Sequence, residues 1–214
     1  MRTCYLLLAI DISGSMSSCA KNVREAVMTY LRKIAEMNAD AVDVRYKVKI
    51  LFFNDSAREH STEFLDPAQI LEVLTESDFT CSGGTHIGKL FETLDRIFSR
   101  KGLIKDIDKG DPLPMFLAVS DLMETDSSAM EAASRDLYDN RFFQEANRLV
   151  LFVGPDDYRD AAVRLAKDED HVMTISSALT AQLLAPVMMG STLVMADATH
   201  LSGRQDSPQK LGDD

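Results

Sequence analysis

From Tyr5 to about Met189 the chain alternates apolar runs of strand length with segments of helical periodicity, and that alternation restricts it to an α/β architecture. Leu6 to Ile10, Met115 to Val119, Leu149 to Val153 and Val172 to Ile175 read as buried strands. Residues 42 to 50 follow period two, with Val42, Val44, Tyr46, Val48 and Ile50 on one side and Asp43, Arg45, Lys47 and Lys49 on the other; the run is then apolar through Phe53. Val23, Val27, Tyr30, Leu31 and Ile34 share one helical face. So do Ile87, Leu90, Phe91, Leu94, Ile97 and Phe98, in a helix that starts just after Thr85.

The turn signal Asn54-Asp55, followed by the polar run Ala57 to Thr62, predicts a short strand returning as a hairpin at a sheet edge. Lys101 to Pro114 reads as a polar loop. Asp126 or Ser127 is placed to cap a helix reaching about Phe143, Asp156-Asp157 opens another, and a last helix runs to about Met189. The expected fold is α/β and doubly wound: a mostly parallel central sheet, one short antiparallel edge strand, and helices on both faces. Residues 1–190 form one domain in this reading, and 191–214 an extension that is disordered from about residue 202.

A chain of 214 residues with 45% hydrophobic content can bury one sizeable core. The net charge of −11, with 23 scattered Lys and Arg, argues against a nucleic-acid surface. After Cys4 a run of only six apolar residues leads to Asp11, too few for a signal-peptide core, and no later stretch has transmembrane length, so no membrane role is expected. Cys4, Cys19 and Cys81 are odd in number and lack metal-type spacing, which fits a reducing cytoplasm. Cys19 and Cys81 each lie near a loop of the candidate site described next, where a redox role is conceivable.

Three distant patches carry the chemistry: Asp11-Ile12-Ser13-Gly14-Ser15, Gly83-Gly84-Thr85 and Ser120-Asp121. They offer two carboxylates, Asp11 and Asp121, and, in Ser13, Ser15 and Thr85, three hydroxyls, without His or Cys, an oxygen-only set that suits Mg²⁺ or Mn²⁺ rather than zinc or copper. Asp11 and Asp121 each follow an apolar run, where a buried strand emerges. Ligands of open α/β sheets gather beyond the carboxyl ends of strands where strand order reverses, and neighbouring strands there would bring the carboxylates together. Side chains two apart can return to one side, and Gly14 and Gly83-Gly84 permit close backbone turns.

Asp-x-Ser-x-Ser after a first strand, a distant Gly-Gly-Thr before a helix, and a later Ser-Asp at a strand end resemble the metal-ion-dependent adhesion site (MIDAS) of von Willebrand factor A domains. The resemblance covers about Thr3 to Met189, in motif order and in element order. It implies that Ser13, Ser15 and Thr85 supply hydroxyl oxygens to a cation, and that Asp11 and Asp121 bind it directly or through water. The expected ion is Mg²⁺ or Mn²⁺ ahead of Ca²⁺. It also implies a protein partner whose Glu or Asp completes the coordination shell. The family often has Gly after the third-element Asp, where this chain has Leu122. Ser120-Asp121 followed by Thr125-Asp126 resembles intracellular bacterial members associated with tellurium resistance and stress clusters.

The function expected is a non-catalytic, metal-dependent protein-interaction module. One alternative is a metal-assisted phosphoryl hydrolase with Asp11 as nucleophile, but Ser13 stands where its second Asp acid/base would be. Another is a scaffold in which the metal only ties loops together. No phosphate-cradling glycine-lysine loop and no Gly-x-Ser-x-Gly elbow is present. His86, beside Thr85, is a candidate base but more ordinarily a helix-start side chain, and Glu124 a candidate rim group but more ordinarily a solvated loop carboxylate.

Overall fold

The computed structural model describes residues 1–123, 127–175, 186 and 188–190, and for 127–129 only the backbone. Its strands are β1 (Arg2–Asp11), β2 (Val44–Phe53), β3 (Ala57–Glu59), β4 (Met115–Ser120), β5 (Asn147–Phe152) and β6 (Val172–Thr174). They form one sheet in the order β3-β2-β1-β4-β5-β6, parallel throughout except for the antiparallel edge strand β3. The expected fold class is therefore the observed one. Strand order reverses at β1: the chain moves from β1 out to β2 and β3, then returns to place β4 on the other side.

Side-chain alternation along β1 divides the core in two. Cys4, Leu6, Leu8 and Ile10 face α1 (Ala20–Ala39) and α2 (Pro67–Val73), with Ile175 and Met188 in the same layer. Tyr5, Leu7 and Ala9 face α3 (Ile87–Ile97), α4 (Ser127–Asp139), α5 (Arg141–Glu145) and α6 (Arg159–Ala166). The α1 stripe Val23, Val27, Tyr30, Leu31 and Ile34 is buried as its spacing predicts.

Three local readings need correction. Val42 is 85% exposed and precedes the strand, which starts at Val44. The helix expected to reach Phe143 breaks at Asn140, whose extended backbone ends α4 and whose side-chain oxygen accepts from the Phe142 and Phe143 amides to cap α5. The Asn140 amide nitrogen also donates to the Asp95 carboxylate and the Phe98 carbonyl, so the break locks α5 against α3. Asp156-Asp157 opens a short 3-10 turn before α6 rather than the helix itself. Met188 is fully buried. The rest of the expected final helix, the Asp126 cap, and the tail from residue 191 lie outside the described residues.

Candidate metal centre

Because β1 and β4 are neighbours at the reversal, Ile10 pairs with Val119 and the strand ends Asp11 and Ser120-Asp121 emerge side by side. Asp11 is 2% exposed and Asp121 5%. Asp11 Oδ1 accepts from the Ser13 amide (2.8 Å), bending the chain so that Ser13 Oγ stands 3.1 Å from Ser15 Oγ. Ser13 starts a 3-10 turn, Gly14–Ser18, and α1 begins only at Ala20, so Ser15 sits in that turn and not at the α-helix amino-terminus.

The second patch is tied to the first through the backbone. Ser82 N donates to the Ile12 carbonyl (2.9 Å) and Gly14 N to the Gly83 carbonyl (3.0 Å), which sets the loop bearing buried Thr85 against the Asp11 turn. The β2-β3 turn holds this loop from behind: Asn54 Nδ2 donates to the Ser82 carbonyl (3.1 Å), and Asp55 Oδ1 accepts from Gly84 N (2.7 Å). Gly83 adopts φ +73°, and a Cβ there would overlap the Asp55 carboxylate. Gly83→Ala is accordingly expected to destabilise the fold by roughly 1–3 kcal/mol, measured by urea unfolding, and to weaken metal binding by displacing Thr85.

In the third patch, Ser120 Oγ donates to Asp11 Oδ2 (2.5 Å) and accepts from Leu122 N (2.8 Å), while Asp121 Oδ1 accepts from Met123 N (3.1 Å). Leu122 has φ 51°, the left-handed conformation that glycine adopts freely. The loop therefore turns through glycine-like backbone despite the substitution. The cost, about 1–2 kcal/mol, is offset by a fully buried leucine side chain contributing about 2 kcal/mol. Gly154, after β5, lies so close that a Cβ would overlap the Asp121 carbonyl oxygen.

Electrostatics favour a cation here. Burial pushes the Asp11 carboxyl up to about 6; hydrogen bonds from Ser120 and Ser13 oppose this, and the charge of Asp121 adds to it. Among the described residues no Lys, Arg or His forms an ion pair with either aspartate. Nor do three or more His, Cys, Asp or Glu side chains cluster among them, as expected of a site with only two carboxylates. Two buried carboxylates with no counter-cation among the described residues, one of them hydrogen-bonded to the Ser120 hydroxyl and followed by the Ser13 and Ser15 hydroxyls, fit a hard divalent ion.

The thiols fit a soft metal or redox chemistry poorly. Burial, with the charges of Asp11 and Asp121 adding, raises both Cys19 and Cys81, the latter to about 11, so each is kept protonated. His86 lies 3.9 Å from Asp55, on the rim, and Glu124 is outside the described residues. The contributions of Ser120, Asp55 and Gly154 were not anticipated from sequence. Ser120 had a signal, being a hydroxyl beside a strand-end aspartate, whereas Asp55 and Gly154 act through contacts that spacing does not encode. Ser120→Ala should weaken metal binding roughly 10–100-fold, as read by Mn²⁺ titration, because it frees Asp11 to move and raises its pKa further.

No family model matches the sequence, and no curated protein matches it. Solved structures do. The von Willebrand factor type A structure from Catenulispora acidiphila aligns with a TM-score of 0.62 at 16% identity, over 92% of this chain and 43% of its own. The fold is that of a von Willebrand factor A domain. Proximal thread matrix protein 1 of the mussel byssus, solved with a zinc-occupied MIDAS motif, gives 0.61 at 16% identity, over 91% of this chain and 46% of its own. BatB of Bacteroides thetaiotaomicron gives 0.56 at 16% identity, over 91% and 99%. This chain thus spans less than half of the first two proteins, and at such identities the likeness establishes the fold alone. No helix among the described residues is long and apolar enough to cross a membrane.

Proposed function

We propose that this A-domain fold is a non-catalytic protein-interaction module that holds Mg²⁺ or Mn²⁺ through Asp11, Ser13, Ser15, Thr85 and Asp121, and takes an Asp or Glu oxygen from a partner protein. The carrying observation is the pair Asp11 and Asp121, buried together at the reversal of strand order with no counter-cation among the described residues. Two carboxylates neutralise a divalent ion, and three hydroxyls leave an octahedral shell incomplete, so an outside carboxylate both fills a position and gains a full charge interaction. The metal supplies the attraction. The chain supplies its placement, with Ser120 and the Ser13 amide orienting Asp11 and the Asp55-buttressed loop presenting Thr85.

A cytoplasmic setting in a bacterial stress or tellurium-resistance pathway belongs to the same proposal, supported by the Ser120-Asp121 and Thr125-Asp126 spacing; residues 124–126 lie outside the described residues. The test is capture of host proteins on the immobilised full chain in Mg²⁺ against chelator, with folded Asp121→Ala alongside. Capture that depends on Mg²⁺ and on Asp121 supports the reading. A partner retained equally in all conditions ends it, and a metal that raises the melting temperature without altering capture would make the ion structural. Metal-dependent turnover of p-nitrophenyl phosphate that disappears with Asp11→Asn would make the protein a hydrolase instead.

A further inference from the structure

Lys49 is a cation set into an apolar sheet face. Strand alternation puts it with Leu51 and Phe53 on the α3 side of β2, and it is only 5% exposed. Its ammonium donates to Glu59 Oε2 (2.5 Å) and to the Thr62 carbonyl (2.6 Å), and stands 5.2 Å from the Phe64 ring centroid. The other Glu59 oxygen accepts from Arg96 Nη2 (2.5 Å). Burial alone would raise the Glu59 pKa; these two cations overcome it and hold the group below its ordinary value. One carboxylate therefore serves two cations. A lysine ammonium has three donors, and two are used.

The group opens onto a cavity of about 430 Å³, between the β2-β3 hairpin, the carboxyl end of α3 and the turn at Leu103–Asp106. That volume lies in the range of small-molecule sites. Phe64, Ile97 and Leu103 give it an apolar wall. Lys101 and Lys105 stand among its lining residues and form no ion pair among the described residues. With Glu63 and Asp106 included, four cations face three carboxylates, a local positive excess in a chain of net charge −11.

We propose that this cavity binds a small organic anion, its carboxylate or phosphate group received by Lys49 and Arg96 and its apolar body laid against Phe64 and Leu103. The anion supplies the negative charge that two cations around one carboxylate leave unmatched, and the third Lys49 donor gains an acceptor. This site is on a different part of the molecule from the aspartate pair, and its occupancy requires no metal.

The test is a titration of the isotope-labelled full chain, in chelator, with benzoate, phenyl phosphate and uncharged benzamide, followed by amide chemical shifts. Saturable shifts at Lys49, Glu59, Phe64 and Leu103 are expected with an acid and not with benzamide; which acid binds more tightly identifies the headgroup. Lys49→Met should weaken binding at least roughly tenfold, the effect of one charge-assisted hydrogen bond. The exposed double variant Lys101→Gln/Lys105→Gln, which leaves the buried network intact, should weaken it by a few-fold. Equal shifts with benzamide, no saturation up to tens of millimolar, or an affinity unchanged in both variants would show that the network only stabilises the fold and would overturn the proposal.

Discussion

Asp121→Ala is expected to reduce Mn²⁺ affinity at least ~100-fold, since even residues that merely orient metal ligands contribute 10–100-fold. Isothermal titration on the purified chain measures this directly. The loss should leave folding nearly intact. Among the described residues Asp121 accepts a single hydrogen bond, from the amide of half-buried Met123, for which water can substitute. Removing its charge also relieves Asp11 of a neighbour that raises its pKa. Metal-free Asp121→Ala should therefore melt close to the wild-type temperature while losing the metal-dependent rise. A variant that loses stability in proportion to its lost affinity would instead mean that Asp121 acts through the fold.

Asp11→Asn should move metal-free stability in the opposite direction from metal binding. Burial lifts the Asp11 pKa from its ordinary 3.8 to about 6, so the folded chain holds this proton more tightly than the unfolded chain does. The group's stabilising contribution is present below pH 3.8 and is lost as pH rises through about 6. At neutral pH the ionised, metal-free form is disfavoured by about 3 kcal/mol, which Asn avoids. Metal-free Asp11→Asn should accordingly melt higher than wild type at pH 7, by up to roughly 10 °C, with little difference at pH 4. Mg²⁺ should reverse the ranking, because binding requires the carboxylate. For the same reason wild-type metal affinity should fall as pH drops below about 6, with proton release on binding in that range. A flat melting difference between pH 4 and pH 7 would contradict this assignment.

The strand-helix alternation made the sheet legible, and the three oxygen-bearing patches could be placed at its carboxyl edge because each aspartate follows an apolar run. Strand order was not readable, yet it decides whether Asp11 and Asp121 meet; only the tertiary pairing of β1 with β4 supplies it. Helix α2 does not stand out in the apolar pattern although Asp66, Pro67 and Gln69 spell a capping box with proline in the first turn, a signal masked by the short apolar stripe behind it. Lys49 shows a different limit. Period two places it on the face opposite Val48 and Ile50, but its burial there was not readable, because the carboxylate that pairs with it, Glu59, is brought back by the hairpin and is itself shared with Arg96, 37 positions further along the chain. Leu122 likewise could not be assigned a left-handed backbone from sequence, since only its burial repays the strain.

A crystal of the full chain grown with Mn²⁺ and measured at the manganese absorption edge tests the central claim most directly. One strong anomalous peak is expected among Asp11, Ser13, Ser15, Thr85 and Asp121, with directly bound oxygens at roughly 2.0–2.3 Å and one position filled by water or a neighbour's carboxylate. A peak elsewhere, or none at the aspartate pair in Mn²⁺ that saturates the protein in solution, would contradict it.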